Sequence, residues 1–166
     1  VPQEPFLFAG SIRDNVGFSR PEVSDSEVVE ALEASGLMTM VNSLPEGINT
    51  VIHERGASLS AGERQLIAIA RAFLSKPRVL VLDEATSNLD LQSESQVEQA
   101  LDAILDGRSA IIVAHRLATV MRADRILVVD NGTIIESGTH QELLARGGAY
   151  SAMHNQWQET VRSNGS

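Results

Sequence analysis

Arg78-Val79-Leu80-Val81-Leu82-Asp83-Glu84 sets four consecutive apolar residues directly before two carboxylates, just after Pro77. A short, continuous apolar run suits a strand buried on both faces of a parallel sheet, with helices covering each side. Two more such runs follow, Ala110 to Ala114 and Ile126 to Val129, separated by helical patterns over Leu91 to Asp106 and Leu117 to Arg122. That alternation predicts an α/β fold with parallel strands from Arg78 onward. Asn131-Gly132 then reads as a two-residue hairpin turn into Thr133 to Glu136. Thr139-His140-Gln141-Glu142 opens a capped helix, and Tyr150, Met153 and Trp157 stripe a last one. The polar tail, Arg162 to Ser166, is expected to fray.

Upstream, to about residue 77, the signals are helical only. Ser11-Ile12-Arg13-Asp14 and Ser24-Asp25-Ser26-Glu27 each place a hydroxyl three residues before a carboxylate, the reciprocal pattern that satisfies free amides at a helix start. A further helix follows Ser60, with Leu66, Ile69, Ala70, Phe73 and Leu74 at steps of three and four, and stops before Pro77. This half is expected to be all-helical.

Composition narrows the function classes. The 166 residues are 43% hydrophobic and 21% charged, as in a globular chain. Thirteen basic against 22 acidic residues give a net charge of −9, without the basic field that phosphate-backbone binding needs, so no nucleic-acid partner is expected. The absence of cysteine excludes disulfides, thiolate zinc sites and thiol nucleophiles, and fits a reducing compartment. No apolar run approaches the ~20 residues of a membrane span. The start at Val1-Pro2-Gln3, without methionine or signal-peptide features, reads as a piece of a longer protein.

Three elements carry chemistry. The Val79–Leu82 strand delivers Asp83 and Glu84 to its C-terminal edge, where ligands sit in open α/β sheets. There Asp83 suits Mg²⁺ and Glu84 an attacking water, although read alone the pair could equally cap the next turn. His115 follows the Ala110–Ala114 run and emerges on the same edge if the strands are parallel, as a phosphate contact or as an ordinary packing residue. In Leu59-Ser60-Ala61-Gly62-Glu63, small residues stand at a helix start, so free amides and the Ser60 hydroxyl could meet a phosphate, or Ser60 and Glu63 form a plain capping box. His53, His140 and His154 lack ligand-like spacing and read as surface or packing residues.

In order, Gln3, Leu59-Ser60-Ala61-Gly62-Glu63, Val79 to Glu84, Ser87-Asn88-Leu89-Asp90 and His115 resemble the ATP-binding cassette (ABC) ATPases from the Q-loop onward, through signature, Walker B, D-loop and H-loop, as far as about Leu144. Val1 to Phe8 with Ser11 to Asn15, and Thr50 to Gly56, resemble the exporter branch, the latter segment being similar to one that meets the membrane domain's coupling helices. The resemblance implies a P-loop NTPase core using ATP and Mg²⁺, with residues 1–77 holding the Q-loop, helical subdomain and signature helix, and 78–161 the C-terminal part of the core. It implies that Gln3 contacts Mg²⁺ or water and couples to the membrane domain, that Asp83 serves the metal, that Glu84 is the general base and that His115 contacts the γ-phosphate. It also implies that Ser60 and Gly62 close on ATP held by a second nucleotide-binding domain in a head-to-tail dimer, with Asp90 communicating across it. The partners would be that domain and an exporter's transmembrane domain, at the cytoplasmic face of the membrane.

The sequence departs from the family pattern at three points. Ala61 and Glu63 replace Gly and Gln of the usual Leu-Ser-Gly-Gly-Gln, so a methyl and a negative charge enter the signature, and Glu63 is placed to turn back onto the Ser60 amide. His53 stands for the usual Gly of the coupling segment. The one lysine, Lys76, precedes Pro77, so no Lys-bearing P-loop is present; in the family Walker A lies upstream of Gln3. The chain alone is therefore expected to be inactive. The other readings are a non-transport ABC ATPase of the chromosome-maintenance or repair kind, whose long heptad arms or DNA-binding surface are not found here, and a non-catalytic interaction module.

Overall fold

A computed structural model describes residues 5–53, 56, 58–83, 89–114 and 117–164, with the side chains of 91, 118 and 160–164 set aside. Gln3, Glu84, Ser87, Asn88 and His115 lie outside the described residues. The chain forms two compact units, Val1–Val113 and Ala114–Ser166.

In the first unit, β1 (Gly10–Ser11) leads into α1 (Ile12–Val16), α2 (Asp25–Ala34) and α3 (Met38–Ser43), then a 3₁₀ turn at Gly47–Asn49 and β2 (Val51–Ile52). There follow α4 (Ala61–Leu74), β3 (Val79–Asp83), α5 (Leu91–Leu105) and β4 (Ser109–Val113). The boxes expected at Ser11/Asp14, Ser24/Glu27 and Ser60/Glu63 are all formed. Leu7, Ile12, Leu32, Ile67, Leu80 and Ile104 are buried in one cluster that joins helices to the β3 strand.

β3 and β4 pair in parallel, from Val79 opposite Ser109 to Asp83 opposite Val113, with α5 as the crossover. The expected βαβ arrangement is therefore present. Two expectations need correction. The first 77 residues are not all-helical, because Gly10 and Ser11 pair antiparallel with Ile52 and Val51. Two-residue strands have no detectable period, and their partners lie some 40 positions apart. Among the described residues the parallel pair is not covered on both faces: Leu80 and Leu82 are buried, while Val79, Val81 and Ile111 are 54%, 56% and 61% exposed. An apolar run records that both faces favour burial, not which segment covers each.

In the second unit, α6 (Leu117–Met121) precedes β5 (Ile126–Asp130), β6 (Thr133–Gly138), α7 (His140–Arg146) and α8 (Ala149–Asn164). Among the described residues β5 pairs only with β6, antiparallel, so the Ile126–Val129 run is a hairpin strand and not a further parallel one. Asn131 and Gly132 take φ of 47° and 76°, the left-handed pair that a tight hairpin turn requires. The Thr139/Glu142 box starts α7 as expected. Glu136 on β6 caps α8, accepting the amides of Ala149 and Tyr150 at 3.0 and 2.8 Å. The α8 backbone stays helical to Asn164, into the stretch expected to fray. Leu143 and Tyr150 centre this unit's core; the Tyr150 hydroxyl meets His140 Nδ1 at 2.6 Å, and His154 is buried beside them. Among the described residues no helix is long and apolar enough to cross a membrane.

Candidate functional site

The site begins at the start of α4. Ser60 is extended, with φ −63° and ψ 163°, so its side chain faces the first helical turn. Its hydroxyl oxygen accepts the Glu63 amide at 3.1 Å, and the Ser60 amide donates to Glu63 Oε2 at 2.7 Å. Glu63 therefore turns back onto its own helix cap, as its position predicts. The amides of Ala61 and Gly62 open the helix without an intrahelical acceptor, and the Ser60 hydroxyl keeps its proton for donation. Ala61 is exposed and contributes only a methyl group. Such a terminus fits an anion: two free amides, a hydroxyl, the positive end of a 14-residue helix, and an acidic side chain already engaged.

Gly62 faces inward. A Cβ on it would lie 2.7 Å from the Cβ of Ser93 and 2.8 Å from its Oγ, so the start of α4 packs on the first turn of α5 with no room for a side chain. Ser93 in turn donates its hydroxyl to Asp90 Oδ2 at 2.6 Å. Asp90 is the N-cap of α5, its Oδ1 accepting the amides of Gln92 and Ser93, both at 3.1 Å. The Ser93 hydroxyl bond, followed by the Ser93 amide bond, holds the Asp90 carboxyl below the usual carboxylate range. Ser60, Gly62, Ser93 and Asp90 thus form one chain of contacts that joins the two helix starts.

Asp83 ends β3, opposite Val113 in the parallel ladder, with an exposed side chain. A free carboxylate at a strand's C-terminal edge is a hard oxygen donor of the kind Mg²⁺ takes. Of the residues singled out from sequence, Ser60, Ala61, Gly62, Glu63 and Asp90 are brought together, and Asp83 stands at the strand edge. Gln3, Glu84 and His115 are outside the described residues. Sequence reasoning missed Ser93, whose signal was its place three residues after an N-cap aspartate. It also missed the cap that Asp90 forms.

The sequence matches the ABC transporter family over residues 1–87. It is 48% identical over 153 residues to the uncharacterized ABC transporter ATP-binding protein YknV of Bacillus subtilis (strain 168), covering 92% of this chain and 25% of that protein. To the "Putative multidrug export ATP-binding/permease protein" of Staphylococcus aureus (strain NCTC 8325 / PS 47) it is 46% identical over 155 residues, covering 93% and 27%. The fold superposes on a bacterial Atm1-family ABC exporter with ATP bound, with a TM-score of 0.83, 38% identity, and coverage of 93% of this chain and 27% of that one. The chain spans about a quarter of the length of these proteins.

Proposed function

The chain belongs to the ABC transporter family, and we propose that it forms the signature-bearing helical part and the C-terminal part of the ATPase core of an exporter's nucleotide-binding domain. The observation that carries this reading is the contact chain from Ser60 through Gly62 and Ser93 to Asp90, in which a phosphate-compatible helix start packs on Ser93 and Ser93 in turn is hydrogen-bonded to Asp90. The export function named for the Staphylococcus aureus relative supports the exporter branch.

In this reading the whole protein hydrolyses ATP by in-line attack of water on the γ-phosphate. Glu84 orients that water and takes its proton, and His115 donates to the γ-phosphate oxygen. Asp83 and Gln3 are the residues that would hold Mg²⁺, which when bound offsets phosphate charge. Ser60, with the Ala61 and Gly62 amides, binds the γ-phosphate of ATP held by a second nucleotide-binding domain, arranged head to tail. Asp90 lies at that same interface. Glu63 places a carboxylate at the same helix cap, on the Ser60 amide at 2.7 Å, which weakens this half-site relative to an uncharged residue.

The transmembrane domain of the exporter, in the same or a separate chain, is the second partner, and the assembly works at the cytoplasmic face of the membrane. Exposed Phe6 and Phe18, at 59% and 55%, supply apolar surface beside the segment that follows Gln3. Reconstitution of the full-length protein in liposomes tests the reading. Mg²⁺-dependent ATP hydrolysis that Ser60→Asp reduces at least tenfold is expected. Hydrolysis indifferent to that substitution contradicts the role of the α4 start.

A further inference from the structure

The far end of α4 carries a second polar constellation. Arg71 lies in its last turn, nine residues beyond Gly62, or about 14 Å along the helix at 1.5 Å per residue. Its Nε donates to the Asn15 carbonyl at 2.8 Å, its Nη1 to the Phe6 carbonyl at 3.2 Å and its Nη2 to Asn15 Oδ1 at 3.3 Å. The guanidinium carbon also stands 5.7 Å from the ring centroids of both Phe8 and Phe18, which stack on each other at 4.3 Å. Asn15 is 1% exposed and completes the clasp. Its Nδ2 donates to the carbonyls of Phe8 and Ser11, both at 3.0 Å, and its Oδ1 accepts the Phe8 amide at 2.9 Å.

Three of these bonds end on the short segment from Phe6 to Phe8, at the Phe6 carbonyl and at the Phe8 amide and carbonyl, and the other two from Arg71 go to Asn15 itself. Two side chains from two helices thus hold the backbone of Phe6 to Phe8, which would otherwise have no ladder to join. The guanidinium bonds go to neutral oxygens, so a charged fork is spent on backbone position without neutralising a carboxylate. A cation used this way on a surface loop serves geometry more than net stability, because its desolvation opposes what the bonds contribute.

We propose that Arg71 and Asn15 are positioning residues that lock the Phe6–Phe8 segment, which begins three positions after Gln3 in sequence, to α4, so that a displacement of this segment is passed along the helix to Ser60 and Gly62. The inference rests on the proposed roles of Gln3 and the α4 start in ATP hydrolysis. Lysine at 71 keeps the charge but concentrates its donors on one nitrogen, which cannot span the separate oxygens that the guanidinium fork reaches.

The test uses the full-length protein in liposomes with Mg-ATP. Arg71→Lys is expected to lower kcat at least tenfold, with KM for ATP within about threefold and the unfolding midpoint within a few degrees of wild type. Asn15→Ala is expected to lower kcat per folded molecule by a similar factor, with a lower unfolding midpoint because the Phe8 amide loses its acceptor, and the double variant to have a kcat no worse than either single one. A merely structural role would instead lower the folded fraction while the folded molecules kept their kcat, and either that result or a wild-type kcat overturns the proposal. Amide exchange on the wild-type protein is independent of variant folding: the Phe8 amide should exchange as slowly as the last turn of α4, and exchange a hundredfold faster would also overturn it. Wild-type protein that hydrolyses no ATP removes the functional reading and this inference together. Active wild type with unaffected variants removes this inference alone.

Discussion

Replacing Gly62 by alanine adds a methyl carbon 2.7 Å from the Cβ of Ser93, about 1 Å inside ordinary carbon–carbon contact. The Cβ of Ser93 is fixed to the α5 backbone and cannot move without dragging the helix, and its Oγ can rotate away only by giving up the Asp90 bond. Overpacking of this kind costs about 1–3 kcal/mol, against a helix-propensity gain below about 1 kcal/mol for losing a glycine in the first turn. A net loss of about 1–2 kcal/mol is expected. Ser93→Gly opens the space but forfeits the Asp90 hydrogen bond and the helix preference of serine, also costing about 1–2 kcal/mol. Because the clash exists only when both side chains are present, the double variant should be more stable than the sum predicts by about 1–2 kcal/mol. Denaturant unfolding of the complete nucleotide-binding domain measures all four corners of this cycle. Additivity within about 0.5 kcal/mol, or a Gly62→Ala variant as stable as wild type, would refute the packing argument. The same double variant separates two demands on Gly62. If the close approach serves a phosphate as well as Ser93, the clash is relieved in the double variant while ATP hydrolysis stays low.

Three further outcomes are expected. Ser60→Ala should cost about 1 kcal/mol of stability and also weaken ATP-driven dimer closure, whereas Ser60→Asp should restore the first and not the second; recovery of both by aspartate, read by unfolding and by nucleotide-dependent cross-linking, would leave only a capping role. Hydrogen bonds from the Ser11 side chain to Asp14, the Ser24 amide to Glu27, the Ser93 hydroxyl to Asp90 and the Thr139 amide to Glu142 hold these carboxyls below their ordinary values. Depressed folded values mean that their stabilisation is complete above the ordinary carboxylate range, near pH 4, and is lost as pH falls through the lower folded values. Unfolding midpoints should therefore drop between about pH 4 and 2, less steeply with Glu27→Gln and Glu142→Gln, and an unchanged slope in those variants would contradict the assignment. The isolated 166-residue chain should show no ATPase activity and should self-associate through the exposed apolar face of β3 and β4, less so with Val81→Lys and Ile111→Lys; a monodisperse wild-type monomer binding Mg-ATP at micromolar concentration would refute this.

Features encoded within a few residues were legible. A capping box is set by a hydroxyl and a carboxylate three positions apart at the start of a helical pattern, and the four expected on that ground, at Ser11, Ser24, Ser60 and Thr139, all formed. Asn131-Gly132 carried its own turn geometry. The return of Glu63 onto Ser60 followed from the same local rule. Contacts across long separations were not legible. The strand at Gly10–Ser11 finds its partner at Val51–Ile52, and nothing in either dipeptide marks the other. Glu136 on β6 caps α8 across the α7 helix, and Arg71 reaches back 56 positions to Asn15. The Asp90 cap is local, since the carboxylate stands two and three residues before the amides it accepts. Gly62 was read as clearance for a phosphate, and its packing on Ser93 emerged only once α4 and α5 were side by side.

The proposed function requires Glu84 to be the hydrolytic carboxylate of an ATP-driven exporter. Steady-state ATP turnover by the purified full-length protein, with ATP binding measured on the same samples, tests that requirement. Glu84→Gln keeps the side chain's shape and hydrogen-bonding reach but removes its basicity, so turnover should fall about 10²-fold or more while ATP affinity stays near wild type. Turnover within a few-fold of wild type would contradict the account.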